Sequence, residues 1–470
     1  MTSEELCWMP ASEMAGLIRR KKLSPVEAID AVLDRIAKVD GKLNAFVTLV
    51  AEQARREAKA AERALTRKGA TLGPLHGVPF SVKDLVTTKG VLTTFGTPLF
   101  RDNVPTEDAP MVERIRAAGA IMLGKTNTPT FGWLGATHNL LFGPTRNPWN
   151  LDRTPGGSSG GASAAAAAGF GPLHIGTDGG GSIRIPAAFA GVFGFKASYG
   201  RIPTYPVSGA WSLSHVGPLT RTVTDAALML NASAGPDERD QYSLPAERVD
   251  YVKALAGGIK GLRVAYADDL GFVDALDPEV RAACATASKA FRESGCRVDT
   301  VSPGWPSPAE AWKELFCGGI ATRMAPMLDR RELIEPGLQK IIDEFLAAPP
   351  TRYVQAWLDR LAWWQHPRAL FEKYDLLVTP TVACPPFKIG LDNATEIAGR
   401  PIPAYGWTPF TWPFNVTGQP AASLPCGFTR DGLPIGLQIV GRRYDDVTVM
   451  RACAAFERAR PWASKRPPIG

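Results

Sequence analysis

The chain has 470 residues, 45% apolar and 21% charged, a balance that excludes a disordered or fibrous protein and supplies ample core. Its net charge of +7 is spread along the chain apart from Arg458, Arg460, Lys465 and Arg466, which reads as a solvated surface rather than a nucleic-acid footprint. Seven scattered cysteines without a CxxC pair point to a reducing, cytoplasmic setting, five isolated histidines offer no metal-ligand spacing, the acidic start MTSEELCWMP is no signal peptide, and no apolar run is long enough to cross a membrane.

The chain opens with helices over residues 1–70. Ser24-Pro25-Val26-Glu27 is a capping box with proline at the first helical position, and Val26, Ile29, Leu33 and Ile36 follow at helical spacing. Residues 51–68 predict a more solvated helix. GPLHGVPFSVKDLV (residues 73–86) changes character, a Gly/Pro turn leading into a short apolar strand that carries Lys83 and Asp84. A helix over 108–119 and a strand over 120–124 come next. Beyond residue 200 the alternation continues with helices over 224–232 and 277–295, and strands over 262–267, 297–301, 375–380 and 433–440, the last after a loop at 418–427. Residues 304–374 are helical and rich in aromatics, among them Trp312, Phe316, Tyr353, Trp357, Trp363 and Trp364. Core packing is the ordinary reason for such aromatics, and a segment covering a substrate site is the alternative. Alternating helices and strands predict one α/β domain over 1–470 with a largely parallel sheet.

The stretch TPGGSSGGASAAAAAGFGPLHIGTDGGGSIRIPAAFAG (residues 154–191) concentrates the chemistry. It holds two glycine clusters, one presenting Ser158 and Ser159, the other Ser182. Ala162–Ala168 predicts a buried helix stopped by Gly169, residues 172–177 a strand, and Asp178–Gly181 the turn at its end, so that Ser182 opens a short helix. Consecutive backbone N–H groups in such a turn make a nest for negative charge, either a phosphate or the oxyanion of an acyl transfer. The phosphate reading wants a Gly-Lys-Ser/Thr ending, which neither cluster has. A plain structural turn is the bland alternative, weakened by two clusters flanking one strand.

A nucleophilic serine needs a base within reach. GGSSGG satisfies G-x-S-x-G, so an α/β-hydrolase elbow enters, but of His174, His215 and His366 none follows an acidic residue in an evident post-strand loop. Ser-x-x-Lys does not occur. Lys83 remains, at an apolar strand end beside Phe80 and Val82.

At this point HGVPFSVKD, PGGSSGGASAAAAAG, GTDGGGSIRIPAAFAG and VFGFKAS together resemble the amidase signature family of serine hydrolases, with TNTPTFG, FGPTRNPWN, GPLTRTVTDAALML, YDLLVTPT and NVTGQPAASLPCG as further matches. The likeness is dense over 73–232, returns after 374 and is thin between. It implies a mixed, mostly parallel twisted sheet sandwiched between helices and a Ser–cisSer–Lys triad: Ser182 as nucleophile, Ser158 as relay on a cis peptide, Lys83 as base. It further implies an oxyanion hole from the N–H groups of Gly179, Gly180, Gly181 and Ser182, with Asp178 and Arg184 bracing the loop. Common family wording has a larger residue where Gly179 stands, which bears on the local pocket shape. Trp133, after TNTPTFG, falls where the resemblance implies an acyl pocket, and the middle segment over 304–374 would cover the site. The implied activity is hydrolysis of a carboxylic amide, preferably aryl or medium-size acyl, and of esters or carbamates as well. One branch, the A-type component of the multisubunit glutamyl-tRNA amidotransferase, is the alternative, from whose wording the chain departs after Tyr199. The expected partner is a small-molecule amide, with a homodimer as the assembly considered and no cofactor, metal, nucleic acid or membrane.

Overall fold

The computed structural model describes residues 1–469. Its strands are β1 (Phe46–Leu49), β2 (Pro79–Lys83), β3 (Ile121–Thr126), β4 (Leu173–Asp178), β5 (Phe193–Lys196), β6 (His215–Thr220), β7 (Arg263–Tyr266), β8 (Arg297–Thr300), β9 (Leu376–Pro380), a two-residue ribbon of β10 (Glu396–Ile397) and β11 (Arg400–Pro401), β12 (Ala421–Phe428) and β13 (Pro434–Gly441). Eleven of them form one sheet in the order β1-β3-β2-β4-β6-β5-β12-β13-β9-β7-β8. Helices pack against it, and one continuous apolar core runs from Leu6 to Ile469.

The sheet is mixed, as expected, but the parallel pairing is confined to two blocks. β3–β2–β4 and β9–β7–β8 run parallel, joined by helical crossovers. Every pair from β4 through β6, β5, β12 and β13 to β9 is antiparallel, as is β1 on β3. The reason lies in the connections: β12 returns as β13 through the tight turn Thr429–Leu433, where no crossover helix intervenes. The expected loop at 418–427 is therefore corrected to strand β12, whose Pro425 sits at a shift in register. Strands β1, β5 and β6 are likewise additions; Gly217 and Pro218 inside β6 carry turn-like signals, yet both are buried and paired.

Local expectations hold elsewhere. Ser24 and Glu27 form the capping box of helix Pro25–Leu43. The helix Ala51–Thr66 buries only Ala54 and Ala58. All eight residues of the helix Gly160–Ala167 are buried. Its glycines are needed for contact: a Cβ on Gly161 would lie 2.3 Å from the Asn127 nitrogen, and one on Gly160 2.3 Å from Thr137 Oγ1. No helix among the described residues is long and apolar enough to cross a membrane. All seven cysteines are free.

Candidate active site

Strand register brings the chemistry together. In the parallel pair β2/β4, Val82 lies beside Ile175, so Lys83 and Thr177 share the carboxyl ends of neighbouring strands, where open α/β sheets hold ligands. Successive side chains alternate faces, and Asp84 accordingly turns away to accept from the Thr94 backbone and hydroxyl. Lys83 is completely buried and finds only hydroxyls: its Nζ lies 2.6 Å from Ser158 Oγ, 2.9 Å from Ser159 Oγ and 2.9 Å from Thr177 Oγ1. Burial drives its pKa well below the usual lysine range, against a weaker opposing pull from Asp178.

The Ser159 hydroxyl of this cluster is fixed by its other partners. Ser159 Oγ donates to Thr177 O at 3.2 Å and accepts from Thr177 N at 3.2 Å, so towards Lys83 it accepts again. A neutral amine has two N–H groups and one lone pair. One N–H is directed to Ser159, and the hydroxyls of Ser158 and Thr177 face the other N–H and the lone pair, Ser158 being the shorter contact. Ser159 is presented by the first glycine cluster in the sequence, but its place beside the lysine, and Thr177 altogether, carry no signal there. Ser159 is the N-cap of the alanine-rich helix, yet its hydroxyl makes no capping bond because it serves the lysine.

The peptide Gly157–Ser158 is cis. Gly132, at φ 76°, approaches so closely that a Cβ there would lie 3.0 Å from Ser158 Oγ. Ser182 is 7% exposed and lines, with Ser158, Thr177 and Gly179, a cavity of about 130 Å³. Ser182 also borders a smaller cavity of about 20 Å³ walled by Trp133, Trp312, Tyr405 and Trp407. Trp133 thus belongs to the smaller cavity, with Gly132 and Phe316 shared by both.

The loop after β4 is held by its carbonyls. Asp178 O accepts from Asn415 Nδ2 at 3.0 Å, Gly179 O from Trp312 Nε1 at 3.0 Å, Gly180 O from Thr411 Oγ1 at 2.8 Å, Gly181 O from Ile185 N at 2.6 Å and Ser182 O from Ser159 N at 3.2 Å. The N–H groups of Gly179, Gly180 and Ser182 donate to no acceptor among the described residues. The expected four-donor nest is narrowed by one, because Gly181 N donates to Asp178 Oδ1 at 2.7 Å and shapes the loop instead. Asp178 and Arg184 pair through both carboxylate oxygens, each at 3.0 Å, and both are completely buried. Burial pushes the Asp178 carboxyl up, but the Arg184 charge and hydrogen bonds outweigh it and hold the group below the usual carboxylate range. Arg184 also donates to Thr411 O, Gln438 Oε1 and Asn415 Oδ1, three contacts from the far end of the chain. Their signal in the sequence was faint: Thr411 and Asn415 are polar residues inside the apolar run TPFTWPFNVTG.

The pocket shape at Gly179 is set by sterics. A Cβ there would meet Phe316 Cε2 at 2.9 Å, and one on Gly180 would meet Trp312 Cζ2 at 2.6 Å. Rings from the helix Ala309–Met324 occupy the space that a larger residue would take.

No histidine lines either cavity. His174 is pushed down to about 3 by burial, with Nδ1 2.7 Å from Ser81 Oγ and Nε2 3.1 Å from Gly171 O, a closed structural pair. His215 Nδ1 faces the carbonyls of Leu213 at 2.8 Å and Asp178 at 3.2 Å, so that nitrogen carries the proton, while Nε2 accepts from Lys196. His366 packs on Trp363. Among the described residues no group of three His, Cys, Asp or Glu side chains could hold a metal ion.

The Amidase family model matches residues 27–450. The chain is similar to an acylamidase of Rhodococcus erythropolis, 42% identical over 99% of this chain and 98% of that one. It is also similar to the A-type component of the glutamyl-tRNA(Gln) amidotransferase of Moorella thermoacetica, 40% identical over 99% of both. Among solved structures, a bacterial aryl acylamidase of the amidase signature enzymes superposes with a TM-score of 0.92 at 35% identity, covering 97% of each chain.

Proposed function

The chain belongs to the amidase family, and we propose that it hydrolyses carboxylic amides by forming an acyl-enzyme on Ser182, with Ser158 as proton relay and Lys83 as base. The observation that carries this reading is the buried Lys83 amine 2.6 Å from Ser158 Oγ, beside the cavity that Ser182 shares. In the proposed sequence Ser182 Oγ attacks the amide carbonyl carbon. Its proton passes to Ser158, whose own proton passes to Lys83 Nζ. The uncommitted N–H groups of Gly179, Gly180 and Ser182 are the donors for the oxyanion. The C–N bond then breaks, the leaving nitrogen takes the proton back through Ser158, and water cleaves the ester by the same relay.

Aryl or medium-size acyl amides are the proposed substrates, supported by the aromatic walls of the smaller cavity and the apolar walls of the larger one. Esters and carbamates are within the reach of the same chemistry. The residues over 304–374 supply part of both walls through Trp312, Phe316 and Ile320. A cytoplasmic location is proposed on the seven free cysteines. A homodimer is proposed on the exposed apolar stripe Val354, Leu358 and Leu361 of the helix Pro350–Trp363.

A fluorophosphonate probe tests the assignment. One label is expected, mapping to Ser182, and Ser182→Ala is expected to fold and take none. A label on Ser158 or Ser159 would overturn it. The amidotransferase reading, which the Moorella relative keeps in view, is separated by assaying the purified chain alone: turnover of simple anilides without partner proteins supports the hydrolase.

A further inference from the structure

Among the residues lining the larger cavity beside Ser182, Arg323 is the one that carries a charge. It stands on the helix Ala309–Met324, which also brings Trp312 and Phe316 to the glycine loop. Its guanidinium lies over Phe131 and Phe95, 5.0 and 5.6 Å from the ring centroids. These two rings stack on each other at 5.5 Å and 16°. Both phenylalanines hold a left-handed backbone, φ 47° and 54°, which bulky residues rarely adopt, so the platform is held by its surroundings.

The cation on this platform is poorly satisfied. Nη1 donates to Val207 O at 3.2 Å, its one hydrogen bond among the described residues. Nε is buried and has no acceptor. Burial alone acts on its pKa, with no carboxylate of the protein to offset the effect. Arg323 is half-buried, and a guanidinium partly withdrawn from water with a buried, unpartnered Nε favours an anion, its planar fork matching a carboxylate through two parallel hydrogen bonds. Apolar side chains such as Leu85, Met111 and Ile320 line the same cavity and suit a methylene or aryl spacer.

Resting on the Ser182 reading, we propose that Arg323 receives a carboxylate, and that the preferred substrates are amides whose arm in the larger cavity ends in a carboxylate group. Such compounds include half-amides of dicarboxylic acids and N-acylated amino acids or aminobenzoic acids. The bland alternative is that Arg323 merely fastens the helix to Phe131, Phe95 and Val207.

Two matched substrate pairs separate these roles. Glutaryl p-nitroanilide against its neutral terminal-amide counterpart places the charge on the acyl arm. N-hexanoyl-4-aminobenzoate against N-hexanoyl-4-aminobenzamide places it on the amine arm. In one pair the acid is expected to be favoured about tenfold or more in kcat/KM, mainly through KM, with the preference shrinking as salt rises. Arg323→Gln is expected to collapse that acid-to-neutral ratio towards one, and Arg323→Lys to keep part of it as a point charge without the fork. A fastening role alone would lower Tm and affect both members of a pair alike, leaving the ratio unchanged. Ratios near one in both pairs, with neutral substrates turned over, overturn the carboxylate assignment and leave amide hydrolysis standing. Failure of all four substrates together with an unlabelled Ser182 overturns the hydrolase reading and this assignment with it.

Discussion

Replacing Lys83 by methionine removes the amine from its completely buried slot while leaving a chain of similar length. A lysine at its reference pKa of about 10.4 is neutral in about one molecule in a thousand near pH 7.4, an obstacle of roughly 4 kcal/mol to its acting as a base. Burial, opposed only by the weaker pull of Asp178, removes much of that obstacle. Losing the base removes about 10²–10⁴ in rate, and groups that work as a unit lose more than one share, so a fall in kcat of about four orders of magnitude is expected. The stability effect has the opposite sign. Because the folded state depresses this pKa, the unfolded chain binds more protons between the folded value and about 10.4; the destabilisation is absent above 10.4, grows as pH falls, and levels off below the folded pKa. Lys83→Met is therefore expected to gain on the wild type as pH is lowered from 10 to 7, less about 1 kcal/mol for the Ser158 hydroxyl that loses its partner. Anilide turnover and thermal melts across this range make the measurement. In the wild type, kcat/KM is expected to rise with pH on one ionisation whose midpoint lies well below 10.5. Turnover within tenfold of wild type, or a variant that loses stability progressively towards low pH, would refute the neutral-lysine argument.

Three further outcomes are expected. His174→Ala leaves Ser81 Oγ without its 2.7 Å partner in the core and is expected to cost about 2–3 kcal/mol by denaturant melts, while kcat of the folded enzyme stays within about threefold; abolished turnover in a folded variant would restore histidine as the base. Trp133→Ala enlarges the smaller cavity and is expected to move acyl-length preference or raise KM for aryl acyl amides, with Ser182 still taking the probe; acetamide as the best wild-type substrate would contradict the pocket assignment. Gly180→Ala places a Cβ 2.6 Å from the Trp312 ring and is expected to lower kcat by about 10²-fold, the scale of one lost oxyanion donor, with partial recovery when Trp312→Ala is added; no recovery in the double variant would mean that the loop is displaced for another reason.

The main elements and the residues gathered at the candidate site were legible because their signals are local. A capping box, a run of alanines and a glycine pair each bias the backbone within a few residues, and the motifs spaced around Lys83, Ser158 and Ser182 marked the site. What escaped depends on partners distant in sequence. Strands β6 and β12 contain Pro218 and Pro425, ordinarily signals against a central strand, and only pairing with β4 and β13 reveals them as buried strands. The lysine cradle needed the β2/β4 register to bring Thr177 to Lys83 across 94 residues. Trp133 was placed beside the site, but its cavity is closed by Trp312 and Tyr405, which no spacing connects to it. The Gly181 N–H reads as a free donor in the sequence because a turn does not show that the aspartate three residues earlier folds back to accept it.

The proposed base and oxyanion donors make contrary demands on one small volume, and the fold meets them by separating charge from chemistry. A neutral lysine requires that no carboxylate stand free beside it, whereas a rigid glycine loop requires strong acceptors to hold its backbone. Asp178 meets the second demand, accepting from Gly181 N and, at 3.2 Å, from Ile183 N. It adjoins Thr177, which bonds the lysine, so an unpaired charge there would favour the protonated amine. Arg184 engages both carboxylate oxygens and thereby blunts that field without touching Lys83. Its remaining donors are taken by Thr411, Asn415 and Gln438, so the neutralising charge is locked in place by the last hundred residues of the chain. The proposed base in β2 thus stands near a carboxylate paired by a guanidinium that β13 and the short helix Pro413–Val416 orient, and that arrangement ties the two ends of the sequence into one site.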